Sequence, residues 1–238
     1  KVLEGAELFR EPGDRSAFFG HVGHIELSNY HMTLARIFLL SPASLRGKRA
    51  GYLMEEGDSE LARRLRSPEG AALGELFTFV SSLYFRGKLA YAGAFANPPP
   101  GVPGALVITP GLGLKPPEER INLEGLRRIA RVPIDADDGR YRTPLERDAR
   151  DLAERAGPAA TVVLLGSVAT AKYADVLLPV FGSRLRFPAA FVGRGDMSRG
   201  GLMLRCASER KELEYAVLRD AVRHGPRPPR LPKKPRVQ

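Results

Sequence analysis

Residues 161–175 read TVVLLGSVATAKYAD. Thr161 to Leu165 is an apolar run too short for a helix, and the segment from Gly166 to Phe181 turns into one. A strand that is apolar without alternation is buried on both faces, as in a parallel sheet covered by helices. Two other runs have the same character, Ala35 to Leu40 (ARIFLL) and Ala105 to Thr109 (ALVIT), and Leu185 to Phe187 reads as a further strand. Helical patterns lie between them, and this alternation predicts a three-layer α/β domain with a mostly parallel central sheet. The chain is expected to close with a C-terminal β-hairpin, Gly201 to Cys206 and Glu212 to Leu218 flanking the polar turn Ala207 to Lys211.

The helical patterns differ in how they are punctuated. Ser59 to Leu65 reads as a short helix stopped by Ser67-Pro68. Gly74 to Phe95 places Leu76, Phe79, Val80, Leu83 and Tyr84 at helical spacing, which predicts a packing helix with a bend at Gly87. Asn97 to Gly104, rich in proline, is a linker. Asn122 caps a predicted helix over Leu123 to Ala130, followed by a brief strand from Val132 to Ile134. Thr143, Pro144 and Glu146 have the form of a capping box with proline at the first helical position, which predicts a helix over Leu145 to Ala156 stopped by Gly157. Residues 1–34, broken by Gly13, Gly20 and Gly23, form an irregular start with a short strand at Ile25 to Leu27. The expected organisation is that start, one α/β domain over 35–222 and a tail over 223–238.

With 238 residues and 43% apolar content the chain can bury a core, and no stretch approaches a membrane helix in length. The single Cys206 excludes an internal disulfide framework and multi-cysteine metal sites, and suits a reducing, cytoplasmic setting. The chain begins at Lys1 with no apolar leader segment, so no signal peptide is expected. Of the net charge of +10, six charges lie after Val222, leaving the first 222 residues at +4. That tail carries Arg227, Arg230, Lys233, Lys234 and Arg236 among prolines and reads as an extended basic arm suited to phosphate backbones or an acidic protein surface.

Ligands of open α/β sheets sit at the carboxyl ends of the strands, so the loops there are the candidate site. Ser41 to Arg49 (SPASLRGKR) follows the first strand with Ser41, Ser44 and Lys48 as anion donors. It is not a phosphate-binding P-loop, because the opening glycine and the hydroxyl residue after the lysine are missing. In Thr109 to Lys115 (TPGLGLK), Gly111 and Gly113 admit a close ligand or a tight turn. In Leu165 to Asp175, Gly166, Ser167 and Thr170 stand where backbone N–H groups meet an anion, or where a hydroxyl caps the helix. Phe191 to Gly201 (FVGRGDMSRGG) reads as a glycine-rich loop. There Arg194, Ser198 and Arg199 bind a phosphate or carboxylate and Asp196 acts as a base, or an Arg–Asp pair simply ties the loop. Asp196 and Ser41 are the catalytic candidates, and Arg199→Ala is expected to weaken ligand binding with little loss of stability.

No cofactor is expected. His21, His24 and His31 near Glu26 are the one weak metal constellation, with a spacing that fits no metal signature. Asp135, Asp137 and Asp138 read as a turn rather than a calcium loop. No serine sits in a nucleophile elbow, and no histidine follows Ser167 before His224, which argues against a Ser–His–Asp hydrolase.

The sequence of Ser41-Pro42-Ala43 with nearby bases, then Thr109-Pro110-Gly111-Leu112-Gly113-Leu114, then LLGSVATAKY resembles uncharacterised bacterial Rossmann-like domains. The segment Leu165-Gly166-Ser167-Val168-Ala169 is also faintly similar to the uracil-DNA-glycosylase-like folds. The resemblance covers about residues 35–205 and implies a Rossmann-like fold with a nucleobase-sized pocket. Ser41-Pro42 occupy the place of that family's water-activating Asp or Asn, and its late histidine has no counterpart. With the basic arm, and with Tyr84, Phe85 and Tyr173 as stacking candidates, the leading expectation is a nucleic-acid-binding or nucleobase-directed protein, glycosylase-like or another hydrolase. An enzyme on a small phosphorylated or carboxylated metabolite and a non-enzymatic interaction module stand as alternatives. Placement of Arg46, Lys48, Arg49, Arg194 and Arg199 separates them: one shared face favours nucleic acid, a pocket favours the metabolite.

Overall fold

Five-residue strands made almost wholly of Val, Leu, Ile and Phe can be satisfied only between two layers of helices. The structure is a computed structural model that describes residues 35–55 and 57–229. The chain divides into two units, 1–32 and 33–238, and the description that follows concerns the second. The predicted strand Ile25 to Leu27 and the histidines His21, His24 and His31 lie outside the described residues, as do Arg230, Lys233, Lys234 and Arg236 of the arm.

In chain order the elements are β1 (Arg36–Leu40), α1 (Lys48–Met54), α2 (Glu60–Arg66), β2 (Ala71–Ala72), α3 (Leu73–Ser81), α4 (Leu83–Phe95), β3 (Ala105–Thr109) and β4 (Gly113–Lys115). There follow β5 (Arg120–Ile121), α5 (Leu123–Arg131), α6 (Gly139–Ala156), β6 (Thr161–Leu165), α7 (Ala171–Phe181), β7 (Leu185–Pro188), α8 (Asp196–Glu209) and β8 (Tyr215–Val217). The main sheet has the order β4-β3-β1-β6-β7-β8, and β2 and β5 form a separate antiparallel pair. β1 pairs in parallel with both β3 and β6, and β6 pairs in parallel with β7. β4 and β8 are antiparallel to their neighbours. This is a Rossmann-like α/β architecture with a C-terminal antiparallel pair.

Alternate side chains of the strands divide the core in two. Ile37, Leu39, Ile108, Val162 and Leu164 pack with Tyr141, Leu145 and Leu152 of α6 and Tyr173 and Leu177 of α7. Phe38, Leu40, Val107, Val163 and Leu165 face the other way, onto Leu53, Leu65, Leu76, Phe77, Phe85, Leu126 and Met203. The sheet is therefore covered by α6 and α7 on one side and by α1 to α5 and α8 on the other, the expected three layers.

Several boundaries differ from the sequence reading, each for a local reason. The antiparallel partner of β8 is β7, while Gly201 to Cys206 lies inside α8. The expected loop from Phe191 to Gly201 is likewise half helix, since α8 begins at Asp196 and runs through Ala207 to an αL cap at Arg210. The long helix over Gly74 to Phe95 is broken at Ser82, where φ is 43°, and not bent at Gly87. α6 starts at Gly139, not after Thr143, because the Asp138 carboxylate accepts from the Arg140 N–H at 2.9 Å and supplies the cap earlier. Val132 to Ile134 forms no strand, and the helix after Gly166 starts only at Ala171. Ser59 and Asn122 cap α2 and α5 as expected.

Gly87 and Gly200 do a different job from the one their helix-breaking character suggests. A Cβ added at Gly87 would lie 2.7 Å from the Gly200 carbonyl oxygen, and one at Gly200 would lie 2.7 Å from the Leu83 carbonyl oxygen. Without side chains at these two points, α4 and α8 cross backbone against backbone. The crossing sets Lys88, the residue after Gly87, beside the end of β1, where it meets Ser41. Gly200→Ala forces the helices apart and is expected to destabilise the fold by about 1–3 kcal/mol, read from urea unfolding.

Candidate active site

A cleft of about 590 Å³ opens at the carboxyl ends of β1, β3 and β6, lined from those ends by Ser41, Pro110 and Ser167. The connection leaving β1 runs through α1 to α4 on one face of the sheet, and α6, which leads into β6, packs on the other. Such a divergence is where doubly wound sheets leave a crevice.

At its floor Ser41, Tyr84 and Tyr173 line the cleft, with the buried Lys88 behind them. Ser41 follows the last residue of β1 and is held by its N–H to the Leu165 carbonyl, 3.2 Å. Gly166 gives it room, because a Cβ there would stand 2.9 Å from the Ser41 Cβ and 3.1 Å from its Oγ. From α4, the fully buried Lys88 reaches the same point. Its Nζ donates to the Ser41 carbonyl oxygen and to Ser41 Oγ, both at 2.7 Å. The same Nζ lies 3.9 Å from the centroid of the Tyr84 ring, one helical turn earlier. Tyr84 and Tyr173 are buried and line the cleft.

Burial pushes Lys88 down from its ordinary value of 10.5 to about 7, with Arg199 and Lys172 acting in the same direction and Asp196 against them. An amine poised near neutrality can exchange a proton with the hydroxyl it touches, which an ordinary lysine cannot do. Burial also pushes the Tyr84 phenol up to about 12 and raises that of Tyr173, so both stay protonated at neutral pH.

The candidates from the sequence fall into two groups. Ser41, Ser44, Ser167 and Asp196 line the cleft, together with Arg46 and Lys172. The others are not brought to it. Lys48 is exposed at the start of α1. Gly111, in the turn between β3 and β4, and Gly113, at the start of β4, have φ of 79° and 81°, which explains why glycine stands at both. Gly166 contacts Ser41 from behind, and Thr170 is the N-cap of α7 without a capping side-chain bond. Arg194 donates to the Ala190 carbonyl, to Ser198 Oγ and to the Pro229 carbonyl.

Arg199 is 6% exposed; its Nε and Nη2 donate to the Phe191 carbonyl at 3.2 and 3.1 Å, and its Nη1 lies 3.4 Å from Asp196 Oδ1. This corrects the expectation that Arg199→Ala spares stability. Tyr84, Phe85 and Tyr173 are buried too, so they are not exposed stacking platforms. The arm residue Arg227 is exposed, and Gly225 and Pro226 pack against Val192 and Gly193.

Lys88 is the participant the sequence reading missed. The available signal was a cation on the apolar face of a helix, four residues after Tyr84 and three before Tyr91. A serine paired with lysine needs no histidine, so the missing Ser–His–Asp order leaves such a pair open. Among the described residues no group of three His, Cys, Asp or Glu side chains is placed to hold a metal, and no helix is long and apolar enough to cross a membrane. No family model, no curated protein and no solved structure matches the chain.

Two outcomes follow. Arg199→Ala leaves the Phe191 carbonyl without its donors and is expected to lower stability by about 2–3 kcal/mol in chemical denaturation. Lys88 has a lowered pKa in the folded state, so between about pH 7 and 10.5 the unfolded chain binds more protons and stability from this group rises with pH. Below about pH 7 the full penalty of the buried charge is present. Lys88→Met is therefore expected to melt higher than the parent protein at neutral or lower pH, with the gap narrowing as pH rises.

Proposed function

We propose that this protein is an enzyme acting on a small substrate held in the strand-end cleft, with Ser41 as nucleophile and Lys88 as its base. The observation that carries this reading is the 2.7 Å contact between Lys88 Nζ and Ser41 Oγ at the floor of the cleft. A serine hydroxyl is a weak nucleophile until an adjacent base removes its proton. The neutral amine of Lys88 takes that proton as Oγ attacks an electrophilic carbon or phosphorus, and the resulting ammonium returns it to the leaving group. Water then releases the second half of the substrate by the same exchange in reverse.

The cation placement favours a small molecule over nucleic acid. Arg46 and Lys172 line the cleft, where they attract an anionic substrate. Arg194 and Arg199 are engaged with backbone carbonyls, and Arg49 donates to the Phe79 carbonyl. Arg194, Arg199 and Arg49 thus have backbone partners within the fold, while Arg46 and Lys172 are the cations at the cleft. The lone Cys206, buried and unpaired, fits a reducing, cytoplasmic setting.

The test is labelling with a fluorophosphonate probe, read by intact-protein and peptide mass spectrometry. Ser41 is expected to carry the phosphonyl group, with fluoride lost. The label disappears in Ser41→Ala, and the rate falls roughly 100-fold or more in Lys88→Met. In the parent protein the rate rises with pH through an inflection near 7, as Lys88 loses its proton. Labelling elsewhere, or none, sinks the assignment.

A further inference from the structure

The Tyr84 hydroxyl is the polar group at the floor of the cleft that the fold leaves unused. It is buried and makes no hydrogen bond of normal geometry among the described residues, although the residue lines the cleft and the Arg199 and Ser41 side chains come near enough to favour its ionised form slightly against burial. Buried hydroxyls are normally paired, and an orphan beside a reactive serine points to a partner that arrives with the ligand. The Tyr84 ring already has a purpose, packing under Lys88 Nζ, and phenylalanine would serve that purpose equally. The oxygen is what remains to be explained.

Resting on the Ser41–Lys88 reading, we propose that the cleft takes acyl compounds, carboxylic esters or amides, and that Tyr84 donates its hydroxyl to the carbonyl oxygen as Ser41 attacks. A phenol is a single uncharged donor, suited to one oxygen on which one negative charge develops. A transferring phosphoryl group spreads its charge over three oxygens and calls for several cations or a metal. Arg199 is committed to Phe191 and Asp196, and the cations that line the cleft, Arg46 and Lys172, suit a charged group carried elsewhere on the acyl compound. Ile129, Val132, Pro133 and Ile134 form an apolar wall of the same cleft, which fits an acyl group with an apolar body. The hydroxyl is closed off from water, so on this proposal its donation follows the seating of the carbonyl oxygen beside the Tyr84 ring.

The bonds balance simply. Ser41 Oγ bonds to the carbonyl carbon, its proton passes to Lys88 Nζ, and the bond from that carbon to the alcohol or amine breaks as Lys88 returns the proton. Water then cleaves the acyl ester, giving the free acid and the original serine.

The experiment compares the parent protein, Tyr84→Phe and Ser41→Ala on p-nitrophenyl butyrate, with fluorophosphonate labelling and thermal melting run in parallel. Tyr84→Phe keeps the ring under Lys88 and removes only the oxygen. Turnover is expected to fall roughly 100- to 1000-fold, mainly in kcat. The melting temperature should stay level or rise, because no bond made by the folded protein is lost. Equal turnover by Tyr84→Phe and the parent, with Ser41→Ala inactive, overturns the role of Tyr84 and leaves the nucleophile standing. A melting temperature that drops along with turnover overturns it as well. If fluorophosphonate reaches Ser41 while the butyrate ester never acylates it, the acyl assignment fails. If neither reagent reaches Ser41, the reading beneath it fails instead.

Discussion

A lysine ammonium taken out of water must either find compensation or lose its proton, and Lys88 is fully buried. Among the described residues it has no carboxylate in ion-pair contact, and its hydrogen bonds run to the two oxygens of Ser41. The surrounding structure serves this one contact. The backbone crossing at Gly87 and Gly200 brings α4 and α8 close enough to shut water out, Gly166 makes room for the serine, and the Tyr84 ring offers its negative face to the amine. A fold with this group at its centre carries an instability that a methionine would relieve, and the proposed role of Lys88 as a base accounts for it.

The layered architecture was legible because its evidence is local. ARIFLL, ALVIT and TVVLL cannot be exposed strands or stable short helices, and in the structure they become β1, β3 and β6, adjacent and parallel. Asn122 and Gly157 marked helix ends by side-chain chemistry and by backbone freedom, and both hold. The segment around Asp196 misled because glycine serves two ends. Counted by propensity, Gly200 and Gly201 argue for a loop. In three dimensions Gly200 is where a neighbouring backbone must come near, and tertiary contact outweighs the intrinsic preference.

The site was legible only in part for the same reason. Ser41 could be chosen from strand-end geometry alone, since it directly follows a central strand. Gly111 and Gly113 stood out equally, yet their positive φ belongs to a turn that supports β4, whose Leu114 N–H is bound by Asp148. Lys88 is separated from Ser41 by three helices and has no sequence motif. What makes it special is the absence of water around it, a property of the assembled core.

The pairing of β1 has a consequence for how the protein comes into being. β1 is the first strand described, but its two neighbours are β3 and β6, the second of them far along the chain. Contacts so distant in sequence are slow to close. During synthesis the serine and its lysine emerge early and remain wetted, with the amine carrying its ordinary charge. The surroundings of Lys88 close only once β6 has paired with β1 and α8, later still in the chain, has crossed α4. On the proposed reading, a chain that ends before α8 holds the serine and its lysine without the burial that lowers the lysine's pKa.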